Sequence, residues 1–104
     1  MARAPGRLPT LSPKETLILE LLIDREDMYG LELVSTSRRR LKRGTIYVTL
    51  ARMEDKGFLT SRLEDPPADS GGLPRRRYRP TALGRRVFET WTQVARRLMP
   101  EFAR

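Results

Sequence analysis

Apolar residues recur with the spacing of an amphipathic helix in three segments of the first half of the chain and in one segment at its end. The first segment opens with Ser12, which can cap a helix, followed by Pro13 at the first helical position and Glu15 in place to complete a capping box. The next residues are apolar over a wide arc up to about Ile23, so this helix is expected to be largely buried. A second, short helix is expected over residues 31–37.

The second helical segment has residues for the core, whereas the third has both a core stripe and a polar edge. In the second, Leu31, Leu33 and Val34 are expected to pack inward. The third covers residues 44–57, and its Ile46, Leu50 and Met53 fall on one side, which predicts a stripe against the core. A second edge of the third helix carries side chains that can bond DNA bases and phosphates, namely Thr45, Thr49, Arg52 and Lys56.

After Gly57, which is a suitable helix stop, the pattern changes to the alternation of β-strands. Residues 58–64 alternate with leucines on one side, and residues 65–74 are rich in turn-forming side chains. Residues 75–80 are expected to form the return strand, with Tyr78 on one side and arginines on the other. The two strands predict a ribbon whose second strand is strongly basic.

The last segment begins at Thr81, a suitable cap, and predicts a helix up to about Phe102. Its apolar residues recur at spacings of four and three, as in a coiled coil, and Phe88 widens the seam. A seam this apolar at the end of a small domain predicts a partner. We expect a homodimer interface made by Val87, Trp91, Val94, Leu98 and Phe102.

The order helix, helix, helix, strand, strand, helix predicts a mainly α fold. It corresponds to a winged helix-turn-helix, with three helices and a two-stranded wing, followed by a C-terminal dimerisation helix. We therefore divide the chain into a flexible basic arm at 1–11, a winged helix DNA-binding domain at 12–80 and a dimerisation helix at 81–104. In such a fold the third helix enters the major groove and the wing contacts the backbone or the minor groove.

The charge of the chain favours a nucleic acid as the partner. The net charge is +8, and five of the 21 Lys and Arg residues lie within residues 38–43, with six more within 75–86. Phosphate contacts are expected from Arg43, Arg75, Arg76 and Arg77. Arg52 and Lys56 could donate to guanine, and Thr45 and Thr49 could contact a thymine methyl group or a phosphate. For each of these side chains, a solvated surface position is the alternative interpretation.

Other classes of function find less support. The chain has no Cys and no His, which removes most nucleophile–base pairs and transition-metal sites, so we expect neither an enzyme nor a metal or cofactor. No apolar run approaches the roughly 20 residues of a membrane span, and we expect a cytoplasmic protein associated with the bacterial nucleoid. The main alternative is a winged-helix adaptor that binds a protein without specific DNA binding. An RNA-binding role comes third.

Three motifs in order resemble those of the PadR-like transcriptional regulators, from about Ser12 to Phe102. They are Tyr29-Gly30-Leu31-Glu32-Leu33, then Gly44-Thr45-Ile46-Tyr47 with Leu50, Met53 and Glu54, and last Tyr78-Arg79-Pro80-Thr81 with Gly84. The resemblance implies a dimeric repressor that binds inverted-repeat DNA. It also implies a phosphate contact for Tyr47, and packing of this ring against the second helix or a partner subunit is the alternative.

Two further points follow from the resemblance. The number of residues from Tyr29 to Tyr47 is about one helical turn smaller than in the family pattern, so either helix two ends early or the basic loop is tight.

The segment around Trp91 is similar to a segment of multidrug-sensing members, in which a Trp on the terminal helix sandwiches planar aromatic drugs. This implies Trp91 and Phe88 as contacts of a planar aromatic effector, but an apolar seam residue is the favoured interpretation, since a single aromatic at helical spacing usually belongs to the core.

Overall fold

The computed structural model describes residues 9–66, 72 and 74–99. Its four helices are α1 (Pro13–Arg25), α2 (Gly30–Thr36), α3 (Ile46–Asp55) and α4 (Ala82–Leu98). Its three strands are β1 (Met28–Tyr29), β2 (Leu59–Glu64) and β3 (Arg75–Pro80), with β1 lying between α1 and α2 in the chain. The predicted winged helix-turn-helix with a C-terminal helix is confirmed. None of the helices in the described ranges has the length and apolarity needed to cross a membrane.

The helix starts form as their capping residues predict. The Ser12 hydroxyl accepts a hydrogen bond from the Glu15 N–H at 3.2 Å, and the Glu15 carboxylate accepts one from the Ser12 N–H at 2.9 Å. At the start of α4 the Thr81 hydroxyl accepts from the Gly84 N–H at 3.0 Å. Helix α4 ends at Leu98, and Phe102, which was expected to end it, lies outside the described residues.

The strands form one antiparallel sheet in the order β1-β3-β2. Strand β2 pairs with the whole of β3, from Leu59 opposite Pro80 to Glu64 opposite Arg75. The two residues of β1 pair with the other edge of β3, and Tyr29 lies opposite Arg77. The expected two-stranded wing is therefore joined by a third strand that the sequence pattern did not reveal. A strand of two residues is too short to show an alternation.

The core lies where the three helices, the sheet and the start of α4 meet. Its largest fully buried side chains are Phe58, Ile18, Leu19, Leu22, Leu33, Leu41, Ile46, Leu50 and Met53. The predicted stripe of α3 is thus confirmed, as is the burial of α1. Leu31 is the exception, because it was expected to pack inward and is 46% exposed. Leu33 and Val34 meet the core as expected, whereas Leu31 faces outward from the same helix.

Helix α4 is fixed very closely to the turn that follows α3. A Cβ atom built on Gly84 would lie 2.2 Å from the carbonyl oxygen of Phe58, so only glycine permits this approach. The Thr81 hydroxyl donates to the Gly57 carbonyl at 2.5 Å, and the Thr81 N–H donates to the Phe58 carbonyl at 3.0 Å. Gly57 itself has a φ of 84°, in the left-handed region. The end of α3, the wing and α4 are therefore held as one unit.

Candidate nucleic-acid interface

Helix α3 packs one side on the core and leaves the other side uncovered. Thr45 and Arg52 are exposed, Thr49 is half-buried and Val48 is 53% exposed. We call the side chains of Thr45, Val48, Thr49 and Arg52 the reading edge. In the described part of the chain the Arg52 guanidinium makes no hydrogen bond or ion pair, so its donors are available to an acceptor outside the protein.

Val48 was not among the residues that the sequence pattern assigned to this edge. It is apolar, and an apolar residue on a helix is expected to face the core. The signal that could have identified it is its spacing. Position 48 follows 45 by three residues and precedes 52 by four, so the three side chains lie on the same side of the helix. Its exposed methyl groups can contact an apolar group such as the thymine methyl.

A groove separates the reading edge from the start of α1. It has a volume of about 480 Å³ and is lined by Ser12, Lys14, Glu15, Thr45, Val48, Thr49, Arg52 and Lys56. Because α1 forms one wall, its first turn contributes side chains to the same surface as the third helix. The sequence pattern did not predict this juxtaposition, which joins residues about 40 positions apart.

Lys56, which was expected on the edge as a donor to bases, is bonded within the protein. Its Nζ lies 2.7 Å from Oε2 of Glu15, whose side chain is 8% exposed, against 45% for Lys56. Burial raises the pKa of Glu15, but the hydrogen bond from Lys56 and the bonds from Ser12 outweigh it, and the pKa lies below its ordinary 4.5. Glu15 is therefore ionised at neutral pH and neutralises the Lys56 ammonium.

Helix α2 ends at Thr36, and the basic loop that joins it to α3 is held by internal hydrogen bonds. The buried Ser37 hydroxyl donates to the Val34 carbonyl at 2.8 Å and accepts from the Leu41 N–H at 3.0 Å. Leu41 is buried, whereas the cations on both sides of it are exposed. Anchoring the loop through these two residues turns its arginines outward.

Two consecutive arginines of this loop adopt left-handed backbone conformations. Arg38 has a φ of 55° and Arg39 a φ of 66°, values that non-glycine residues adopt at an energetic cost. Together with Arg43 they line an open groove of about 490 Å³ whose apolar side is Leu31 and Val34. The described residues that line this groove include no carboxylate. Three of its six described lining residues are arginines.

Tyr47 packs its ring over the start of α2. A Cβ atom on Gly30 would lie 2.6 Å from a ring carbon of Tyr47, so the ring rests on the glycine backbone. The side chain remains 48% exposed. The position agrees with packing against the second helix, and it leaves the phosphate contact as a prediction.

The face of the sheet away from the core holds its arginines with aromatic and acidic partners. The guanidinium groups of Arg75 and Arg77 each lie 4.2 Å from the centre of the Tyr29 ring. Arg77 also donates to the Tyr29 hydroxyl at 2.6 Å and lies 3.3 Å from Glu64, which accepts a hydrogen bond from the same hydroxyl. The bond from Tyr29, and then that from Arg77, lowers the pKa of Glu64. We call Tyr29, Glu64, Arg75 and Arg77 the wing cluster.

Other cations of the wing also have partners. Arg79 lies 3.2 Å from Asp27. Arg76, on the core side of the sheet, donates to the Ser61 hydroxyl at 3.1 Å, which in turn donates to Glu54 at 2.8 Å. The last contact joins the wing to the end of α3. Of the predicted phosphate contacts on the wing, Arg75 and Arg76 are exposed, whereas Arg77 is mostly covered.

The apolar seam of α4 emerges gradually from the protomer. Val87 is 6% exposed and belongs to the core, Trp91 and Val94 are half-buried, and Leu98 is 74% exposed. Of the expected interface, Val87 thus has little surface left for a partner. The seam becomes available only towards the end of the helix.

Trp91 contacts the segment that precedes α1. Its indole N–H donates to the Pro9 carbonyl at 2.7 Å, and its ring packs against the protomer core beside Phe88. A cavity of about 340 Å³ lies next to it, lined by Leu11, Thr16, Phe88, Trp91, Thr92, Ala95 and Arg96. Both residues expected to contact an effector therefore border one cavity.

Comparison with solved structures places this architecture among known regulators. A PadR family regulator from Clostridium difficile is 33% identical, with 85% of this chain and 95% of that chain covered and a TM-score of 0.67. One from Eggerthella lenta is 28% identical, with 85% of this chain and 76% of that chain covered and a TM-score of 0.70. A PadR-like regulator from Bacillus cereus is 27% identical, covers 85% of each chain and has a TM-score of 0.66. No functionally curated protein matches the sequence significantly.

A winged helix with an uncovered third helix and basic flanks is the arrangement found in DNA-binding regulators of transcription. The family model of the PadR-like transcriptional regulators matches residues 18–90, which include all elements from the body of α1 into α4. The chain belongs to the PadR-like family of transcriptional regulators. The resemblance seen in the three sequence motifs is confirmed.

Proposed function

We propose that this regulator is a sequence-specific repressor that binds inverted-repeat operators as a homodimer. The observation that carries the proposal is the uncovered reading edge of α3, where Arg52 has no ion pair within the described residues and a basic loop without carboxylates lies beside it. A helix with donors free on one side and a buried apolar stripe on the other can enter the major groove without leaving the core.

We assign the proposed base and phosphate contacts according to the bonds that each side chain already makes within the protein. Arg52 donates to guanine, and Thr45 contacts a thymine methyl group or a phosphate. Val48 and Thr49 contact thymine methyl groups, because the Thr49 hydroxyl already donates to the Thr45 carbonyl. Arg43, Arg75 and Arg76 bind phosphates and position the helix, and Tyr47 adds a phosphate contact through its exposed edge. Lys56 and Arg77 contribute mainly through their bonds within the protein, since both have carboxylate partners.

Dimerisation through the end of α4 is supported by the exposure of Leu98 beside half-buried Trp91 and Val94. Because Leu98 makes little contact within the protomer, Leu98→Asp should split the dimer and leave the fold intact. Light scattering and circular dichroism measure the two properties separately. The exposed Gln93→Asp is the matched control, and a dimer that persists in Leu98→Asp would place the interface elsewhere.

An effector of planar aromatic shape is supported by the cavity that Trp91 and Phe88 share. The same contacts also support a purely structural role, because Trp91 packs on the core and bonds Pro9. Flat cationic dyes should quench Trp91 fluorescence if the cavity accepts them. An emission spectrum that does not change at saturating dye would leave Trp91 as a packing residue.

Selection of bound fragments from random DNA tests the proposal most directly. A repressor of this kind should enrich a two-fold symmetric sequence with half-sites about one helical turn apart. Its affinity should fall steeply as salt rises from low to physiological concentration. A chain that enriches no sequence would contradict sequence-specific recognition, and an affinity insensitive to salt would favour the protein-binding adaptor.

A further inference from the structure

One carboxylate joins the first turn of α1 to the end of α3, beside the reading edge. Glu15 accepts from the Ser12 N–H through Oε1 and from the Lys56 ammonium through Oε2, at 2.9 and 2.7 Å. We propose that Glu15 is a specificity-determining residue, which neutralises Lys56 and so keeps it from binding DNA phosphates. The inference rests on the proposed function and adds to it a residue that acts against non-specific binding.

The pair is costly to break. The Glu15 side chain is 8% exposed, and Lys56 is its only cationic partner among the described residues. If Lys56 moved to a phosphate, a buried carboxylate would lose its counter-ion, which is strongly unfavourable. A phosphate that approached the pair would also meet the negative charge of Glu15. Lys56 therefore adds no counterion release to DNA binding, although it lies on the DNA-facing groove.

The contrast with Arg52, one turn earlier on α3, shows what the pairing achieves. Arg52 lines the same groove and has no ion pair within the described residues. Both cations can donate to guanine, but a guanidinium does so in a fixed bidentate geometry, whereas an ammonium is a flexible point charge that binds a phosphate of any sequence as readily. Neutralising the ammonium and leaving the guanidinium free raises the share of the affinity that depends on sequence.

The test removes the charge of Glu15 and keeps its shape. Glu15→Gln retains an oxygen for the Ser12 N–H, so the capping box survives. The full chain is titrated with a random-sequence duplex and with the selected operator over a range of salt concentrations. For Glu15→Gln we expect binding of the random duplex to tighten by about threefold to tenfold at low salt, with a salt slope steeper by about one. The operator should gain less, so the specificity ratio falls.

Three further variants make the test decisive. Lys56→Met should leave the salt slope of binding to the random duplex unchanged. Combined with Glu15→Gln, it should cancel the tighter binding of the random duplex that Glu15→Gln alone produces. Glu20→Gln removes the same charge at an exposed position of α1, and it should change neither the affinities nor the salt slope by a comparable amount. Thermal unfolding of every variant verifies that it is folded.

Two results would overturn the inference. One is a Lys56→Met chain whose salt slope falls by about one, because Lys56 would then already bind a phosphate in the unmodified protein. This measurement stands even if Glu15→Gln does not fold. The other is a folded Glu15→Gln chain whose binding of random DNA is unchanged. If the unmodified chain bound neither duplex, the proposed function itself would be wrong. That result is distinguishable from the two results that overturn only the role of Glu15.

Discussion

The reading edge of α3 and the wing cluster carry similar cations but differ in how these are bonded. On α3, Arg52 has no partner among the described residues, and the basic loop before it lines a groove without carboxylates. On the wing, Arg77 is held by Tyr29 and Glu64, and Arg79 by Asp27. The difference teaches that the number of cations in a segment does not give its number of phosphate contacts. We expect each carboxylate within reach to compete with a phosphate for its cation.

Replacing Arg52 should produce the largest effect on recognition. Arg52→Ala removes a free guanidinium and should cost about 1–3 kcal/mol of operator binding, while binding to random DNA falls less. Electrophoretic mobility shifts with both duplexes measure the ratio. The control is Arg62→Ala on the wing, whose side chain is near Asp27 and Glu64. An equal loss on both duplexes would make Arg52 a phosphate contact instead of a base contact.

A paired comparison of two arginines should show a smaller effect. Arg43→Ala should lower the salt slope of DNA binding by about one, because the basic loop has no internal counter-charge. Arg77→Ala should leave the slope nearly unchanged, because this guanidinium is already bonded to Glu64. Fluorescence anisotropy between low and physiological salt measures both slopes. Equal slopes for the two variants would contradict the distinction between the regions.

Acid should weaken the fold through Glu15. Its pKa is lowered in the folded state, so its contribution to stability is present above the unfolded value near 4.5 and is lost as the pH falls through the folded value. Urea unfolding at pH 7 and at successively lower pH should show this loss. In Glu15→Gln the decline over the same range should be shallower, and identical declines would show that the ion pair contributes little.

Tyr29→Phe should give the smallest change. It removes the hydroxyl that bonds Glu64 and Arg77 but keeps the ring on which the two arginines stack. We expect a loss of about 1 kcal/mol in the free energy of unfolding and little change in DNA affinity. A large loss of affinity with unchanged stability would show that the wing cluster itself binds DNA.

The sequence predicted the elements that depend on local patterns. The capping box of Ser12 and Glu15, the stripe of α3 and the bounds of β3 all follow from neighbouring residues. The partners of the candidate site side chains could not be predicted, because they come from distant segments. Glu15 lies 41 residues from Lys56, Tyr29 lies 48 from Arg77, and Pro9 lies 82 from Trp91. Exposure of single residues, such as Leu31 and Val48, depends on how each helix is rotated against the core.

The contact at Gly84 gives the terminal helix a mechanical role. Helix α4 has 17 residues, so it is a rod about 25 Å long that is fastened at one end to the turn after α3 with no room for a methyl group. We expect so close a contact to leave little room for bending, so that a tilt of the far end of the rod would rotate the rest of the protomer with it. Two copies joined by their rods would therefore set the distance between their heads by the crossing angle. A change of that angle would alter how the spacing of the heads matches the DNA repeat.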